Sequence, residues 1–251
     1  PVPILLLKKN IISTIHDLCC WDYPETMNQL SKWYFRISYK VAVYKCNYMV
    51  TVSQFSWNRI IDKLKYDGDK LWLVSCGIDE KFLNYKNDIK QNKNVKMKYN
   101  LPDHYILSLL VIAYQKLIQK NKINVPLVLA GRKGWKMDEL LSDVEENVKK
   151  NIIFTGFVDD EDLPVVYGEA DLFVFPSKYE GFGIPPLESM ACGTPVISSD
   201  AASLPEVLGD AAFYFESENG EDLCRKIDKY MRIDEIEKQK IIEVGYNQAQ
   251  K

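Results

Sequence analysis

The sequence predicts an α/β protein built of two Rossmann-like units facing each other across a cleft. Three observations point there. Short β-branched runs alternate with helical patterns along the chain, as parallel sheets require. Residues 82–100 break that rhythm, with many Lys and Asn and few aliphatics. Strands and helices then recur, which puts a boundary within 77–100: an N-terminal unit over 1–80, a linker over 81–100 and a C-terminal unit over 101–251. The 251 residues, 47% hydrophobic, suffice for two modest domains with a real core.

In the N-terminal unit, 11–15 reads as a buried strand ending at His16 and Asp17. Residues 27–45 place apolar side chains at Leu30, Tyr34, Ile37, Val41 and Tyr44, a helical spacing. Strand 48–52 follows, then Ser53 as the cap of a helix over 54–64, then strand 71–74 and the turn Cys76-Gly77-Ile78-Asp79. The C-terminal unit carries strands at 105–110, 126–130, 152–155, 171–175 and 195–198. Its helices fall at 111–121, 137–149, 186–192, 203–208 and 220–231. One junction is unlike the rest. A βα connection usually takes about 2–6 residues rich in Gly, Asn, Ser or Asp, and none separates strand 105–110 from helix 111–121. Either a loop has been lost here or the strand is misread.

The formal charge of −3 gives no general reason to expect nucleic acid binding. Six scattered cysteines and two histidines leave little material for a zinc cluster, so reduced thiols in a cytosolic protein are expected. Residues 1–7 are apolar but too short for a signal peptide, and no apolar run reaches the roughly 20 residues that span a bilayer. The expected location is cytoplasmic, at most peripheral at the inner face of a membrane. The chain opens without Met inside an apolar segment, which reads as a fragment. Within 32–45, Lys32, Arg36, Lys40 and Lys45 interleave with Trp33, Tyr34, Phe35, Tyr39 and Tyr44. This fits peripheral contact of 27–45 with an anionic membrane, or an ordinary helix with one packed and one solvated face.

The chemistry concentrates beyond strand 171–175. Ligands in open α/β sheets bind past the carboxyl ends of the strands, and there the chain reads Tyr179-Glu180-Gly181-Phe182-Gly183-Ile184-Pro185-Pro186-Leu187-Glu188. Gly181 and Gly183 allow close backbone approach or positive φ. Pro185 and Pro186 suit a helix start, whose free N–H groups favour phosphate. Glu188 is expected in that first turn, favoured by the helix dipole. Backbone donors for phosphate and two carboxylates for hydroxyls describe a nucleotide-like ligand. Spacing alone leaves the alternative open that the glycines only turn the chain and Glu188 only favours the helix start. A dehydrogenase is disfavoured because no Gly-x-Gly-x-x-Gly follows a strand.

From Ile153 onward the chain resembles the retaining glycosyltransferases of family 4, the group 1 enzymes of GT-B fold. The matching text is Phe-Thr-Gly-Phe-Val (154–158), Tyr-Gly-Glu-Ala-Asp-Leu-Phe-Val-Phe-Pro-Ser (167–177), Glu-Gly-Phe-Gly-Ile-Pro-Pro-Leu-Glu (180–188) and Ala-Cys-Gly-Thr-Pro-Val-Ile (191–197). Glu180 and Glu188 enclose seven residues, the family's E-x7-E motif. Residues 13–18, 51–56 and 77–79 look like the same family's N-terminal domain and its exit, and 203–210 leans toward mannosyltransferase-like enzymes of surface polysaccharide synthesis. The resemblance implies transfer of a sugar, with retention, from a nucleotide-diphosphate sugar to a glycan or lipid-linked acceptor. It favours GDP-mannose as donor and implies no metal and no further cofactor. Glu180 would contact the donor sugar and His16 would act near the sugar and the acceptor. Gly181, Phe182, Gly183 and Ile184 would lie along sugar and phosphate, Glu188 would bind ribose, and Phe157 and Val158 would meet the base.

Members of this family follow the first C-terminal-domain strand with a Gly-rich loop carrying an Arg and then a Lys that grip the diphosphate. Here Leu110 meets Val111 without that loop; Lys116 lies beyond on the helix and Arg132 follows another strand. Two charge-assisted contacts, each about 1.5–3 kcal/mol, are expected to be missing. By the same comparison, part of the first domain would precede Pro1 and a final crossover helix would follow Lys251. Weak or absent turnover is therefore expected. A second reading is a non-catalytic relative that binds nucleotide or sugar, or scaffolds a polysaccharide assembly.

Overall fold

The computed structural model describes residues 11–108, 112–119, 125–131, 141–142 and 144–251. They divide into two compact units. The first holds the described residues up to Gly77 together with Tyr179–Gly183 and Ala201–Val207. The second holds those of Ile78–Lys178, Ile184–Asp200 and Leu208–Lys251.

In the first unit β1 (Ile12–Thr14), β2 (Tyr48–Thr51) and β3 (Leu71–Leu73) make a parallel sheet in the order β1-β2-β3. Met49 lies beside both Ser13 and Leu71 in register, and Met49 and Leu71 join Ile15, Leu18, Ala42 and Ile60 in the core. A single turn, α1 (Cys19–Asp22), precedes the long α2 (Gln29–Lys45). Asn28 starts α2 by accepting the Ser31 N–H at 2.8 Å. Ser53 starts α3 (Gln54–Leu64) by accepting the Ser56 N–H at 3.1 Å, as its position after a β-branched strand predicts.

The second unit is a six-stranded parallel sheet: β4 (Ile106–Ser108), β5 (Leu127–Ala130), β6 (Ile152–Gly156), β7 (Leu172–Phe175), β8 (Val196–Ser199) and β9 (Ala212–Phe215). Its order, β6-β5-β4-β7-β8-β9, reverses between β4 and β7. That reversal is the switch point beside which such sheets bind ligands. Ile106, Leu127, Leu172, Val174 and Ile197 form the core with Leu117 of α6 (Ile112–Gln119).

Residues 81–100, expected as a linker, are not one. Within 78–100 the chain forms α4 (Glu80–Leu83) and α5 (Ile89–Tyr99), both in the second unit. Asp79 and Asp88 cap them, and Asn100 closes α5 in the left-handed conformation at φ 54°. Phe82 of α4 is buried, and α5 buries Asn92, Val95 and Tyr99 at helical spacing. One narrow buried stripe among lysines explains why composition suggested exposure. Of helix 137–149, the described residues 141–142 are helical, and α7 (Glu146–Lys149) is a further helical turn. β4 ends at Ser108 and α6 begins at Ile112; the 110/111 junction and Arg132 lie outside the described residues. Farther along come α8 (Leu163–Gly168), α9 (Ile184–Ala191), α10 (Leu204–Leu208), α11 (Gly220–Tyr230) and α12 (Glu235–Ala249).

Candidate functional site

In the second unit, a cavity of about 300 Å³ opens beside the carboxyl ends of β5, β6 and β7. Gly131, Phe157, Val158, Tyr167, Phe175 and Pro185 are among its walls. β5 and β6 slip register between Leu129 and Ala130, and the Gly131 N–H then donates to the Gly156 carbonyl at 2.9 Å. Both glycines hold positive φ, 118° and 70°, so the two strand ends turn there. Phe157 and Val158 leave that turn in opposite senses: Phe157 is 65% exposed and Val158 is buried. The structure thus brings Phe157 and Val158 to one cavity with Pro185, in the first turn of α9.

Glu188 departs from expectation. The helix was predicted to begin at 186, with Glu188 in its first turn. α9 begins at Ile184, and its first turn holds no acidic residue. Pro185 and Pro186 are accommodated because the first-turn N–H groups have no intrahelical partner to lose. Glu188 therefore sits one turn inside, held by a side chain rather than by the helix dipole: its Oε2 accepts the Tyr167 hydroxyl at 3.2 Å. Burial pushes the Glu188 carboxyl above its ordinary range, against the pull of the Tyr167 hydrogen bond and the Lys81 charge. Lys81 also faces Asp79 and Asp160, each at 3.8 Å. The Tyr167 ring is fixed edge-on to Phe82 and Phe173, at 5.9 and 5.4 Å between centroids, and its carbonyl accepts Thr194 Oγ1 at 2.6 Å. Tyr167 opens the matching stretch 167–177, and the resemblance gives it no role. Its partnership with Glu188, across 21 positions, has no spacing signature.

The first unit gathers His16 with Glu180, Gly181, Phe182 and Gly183. His16 follows β1 with its side chain exposed. Its carbonyl accepts the Ser56 hydroxyl at 2.9 Å, and the Gly181 carbonyl accepts the Ser53 hydroxyl at 2.7 Å. A methyl group on Gly181 would stand 2.4 Å from the His16 oxygen. The close approach that glycine permits is thus to this chain's own backbone. Gly183 needs its freedom differently, at φ 107°, with Leu204 Cδ2 2.6 Å from where a Cβ would be. Ser203 Oγ lies 2.9 Å from the Glu180 carbonyl and 3.0 Å from that of Phe182, bracing the turn. The start of α3 is closed by Glu206, whose carboxylate accepts the N–H groups of Gln54 and Phe55 at 2.6 and 2.9 Å.

Tyr179 anchors this segment. Its hydroxyl donates to Asp22 Oδ2 at 3.0 Å and accepts the Leu18 N–H at 3.3 Å. Asp22 also takes both Nε and Nη2 of Arg59. Burial raises the Asp22 carboxyl, but the hydrogen bonds from Arg59 and Tyr179 outweigh it and hold the group below its usual range. None of this network was legible beforehand, because Asp22, Arg59 and Tyr179 are far apart in sequence. Of the predicted residues, then, His16, Glu180, Gly181, Phe182 and Gly183 lie in the first unit, and Ile184, Glu188, Phe157 and Val158 in the second. Among the described residues no three His, Cys, Asp or Glu side chains gather as a metal-holding group.

Comparison with known proteins gives consistent matches. Residues 86–248 match the family model described as glycosyl transferases group 1. The chain is 34% identical to O-antigen chain mannosyltransferase B of Escherichia coli over 80% of its own length and 55% of that protein's. It is 30% identical to O-antigen chain mannosyltransferase RfbU of Salmonella typhimurium, over 83% of this chain and 57% of the other. The chain thus spans about half the length of these relatives. A crystal structure of Anabaena HepE in complex with UDP and glucose superposes with a TM-score of 0.73 at 18% identity, covering 96% of this chain and 67% of that one. That likeness gives the fold as GT-B.

Proposed function

The chain belongs to the glycosyl transferases group 1 family, and from this premise we propose that its protein moves a hexosyl group from a nucleotide-diphosphate sugar to a glycan or lipid-linked acceptor in surface polysaccharide synthesis. Mannose, carried by GDP, is the favoured sugar, since two relatives named above are O-antigen mannosyltransferases. The observation that carries the reading is Glu188, fixed by Tyr167 beside an aromatic-walled cavity at the strand ends of the second unit. With one oxygen held by a phenol, the other is suited to accept a ribose hydroxyl. Phe157 and Val158 offer an apolar surface and backbone groups to a base.

The proposed transfer keeps anomeric configuration by front-face displacement, the departing phosphate assisting the acceptor. Glu180 contacts the donor sugar, His16 serves the acceptor side, and Gly181, Phe182, Gly183 and Ile184 follow sugar and phosphate. Stabilising the leaving diphosphate is the central electrostatic demand. The start of α9 meets it partly, through the amide of Ile184, because Pro185 and Pro186 have none.

Calorimetric titration with GDP and with UDP tests this. Weak saturable binding is expected, lowered about tenfold or more in Glu188→Gln, which gives up a hydrogen bond to charge worth about 1.5–3 kcal/mol. A Gly-rich loop carrying Arg and Lys, inserted between Leu110 and Val111, should strengthen binding and raise turnover. No heat from either nucleotide, with and without that loop, refutes the donor-site reading. The second reading, binding without catalysis, draws on the missing cations; it wins if the loop restores affinity but no sugar is transferred.

A further inference from the structure

Helix α2 of the first unit is apolar on two opposite faces, and among the described residues only one of them is packed. Tyr39, Ala42 and Val43 pack into the core. On the other side Leu30, Trp33, Tyr34, Ile37 and Tyr44 form an outward stripe, within about 100° of one another at 3.6 residues per turn. Leu30 is 85% exposed, Trp33 71% and Tyr44 84%. Single exposed apolar residues are ordinary; a stripe along about 21 Å of helix is an interaction surface.

The charges around it say what it meets. Residues 27–45 contain four cations, Lys32, Arg36, Lys40 and Lys45, and no carboxylate, in a chain whose net charge is −3. Arg36 is committed inward, donating to the Cys20 carbonyl at 2.9 Å and lying over Trp21. Lys32, Lys40 and Lys45 make no ion pair among the described residues. Lys40 and Lys45 flank the stripe on its two sides at 3.6 residues per turn, positions from which long stems can run along apolar surface and carry an ammonium group to a plane of phosphates. Trp and Tyr are the residues whose rings favour the boundary between hydrocarbon and headgroups.

We propose that α2 lies in the plane of an anionic lipid bilayer, with Leu30, Trp33, Tyr34, Ile37 and Tyr44 entering the headgroup boundary and Lys40 and Lys45 on lipid phosphates. The surface belongs to the first unit alone and owes nothing to the donor-site reading, so it is tested without nucleotide. The chain is sedimented with vesicles of phosphatidylcholine containing phosphatidylglycerol, and with vesicles of phosphatidylcholine alone. Binding to the anionic vesicles is expected, weakening with added salt and by about fivefold for each lysine in Lys40→Gln and Lys45→Gln. Combined Trp33→Ser, Tyr34→Ser and Ile37→Ser should lower it more than about tenfold. Those side chains are exposed, so the melting transition should stay in place; should the triple variant unfold, the lysine variants and the salt series decide. Equal binding to both vesicle types, no binding to either, or unchanged binding in the lysine variants overturns the proposal. So does a lipid-free dimer that the triple substitution abolishes, which would assign the stripe to a second copy of the chain.

Discussion

Replacing Tyr167 by Phe keeps the ring between Phe82 and Phe173 and removes only the hydroxyl that donates to Glu188 at 3.2 Å. A hydrogen bond to a charged group is worth about 1.5–3 kcal/mol and a neutral one about 0.5–1.5. Because the carboxyl is only half-buried, the lower figure of the first range applies, about 1.5 kcal/mol near neutral pH. Burial already raises the Glu188 carboxyl, and losing the phenol moves it further up. The sign follows from linkage. A carboxyl raised in the folded state contributes stability that is fully present below its unfolded pKa and lost as pH rises through the folded value. The variant loses more of it on the way to neutral pH. Urea unfolding should therefore show a larger deficit at about pH 7 than at about pH 4, where the carboxyl is largely protonated. In a Glu188→Gln background the pH dependence of that deficit should vanish. A deficit independent of pH, or one equally pH-dependent in the Glu188→Gln background, would refute the assignment of Tyr167 as the partner that holds Glu188 ionised.

Gly181→Ala should destabilise the first unit by about 1–3 kcal/mol in thermal unfolding, since the new methyl would meet the His16 carbonyl at 2.4 Å and backbone must move. Asp22→Asn should flatten the acid limb of the stability profile: the Asp22 carboxyl is held low, so its contribution is present above its unfolded pKa and lost as pH falls through the folded value. On the proposed donor reading, guanosine and GDP should bind this chain within about tenfold of each other, because the Arg and Lys of the Gly-rich loop are missing from the sequence after β4, and calorimetry of the two ligands compares them directly.

The sequence made the strand–helix alternation plain, and with it the parallel sheets, because β-branched runs and caps such as Ser53 are local signals. It misjudged 81–100 because α5 buries only a narrow stripe, with Asn92 as one of its three buried residues. It placed the start of α9 two residues late because paired prolines look like a first position, whereas Ile184 already holds helical geometry ahead of them. It found Glu188 by spacing and missed its partner. Tyr167 meets Glu188 only through the packing of α8 against α9, and nothing short of tertiary structure brings those two helices together. The Asp22–Arg59–Tyr179 network was hidden for the same reason: its three members span 157 positions.

The two prolines bear on chemistry as well as on helix geometry. Of the first three residues of α9, whose N–H groups have no intrahelical acceptor, only Ile184 carries one, since Pro185 and Pro186 have none. Among the described residues of the second unit, Lys81 faces Asp79 and Asp160 and Lys178 pairs with Glu218. An anion arriving here would have to displace a carboxylate to gain either charge, and exposed pairs of this kind return little when broken and remade. The contacts proposed for the nucleoside, Glu188 with Tyr167 and the cavity lined by Phe157 and Val158, draw on neither of these two cations. If recognition and leaving-group stabilisation are separable in this way, turnover responds to added cationic charge after β4 far more than nucleoside binding does.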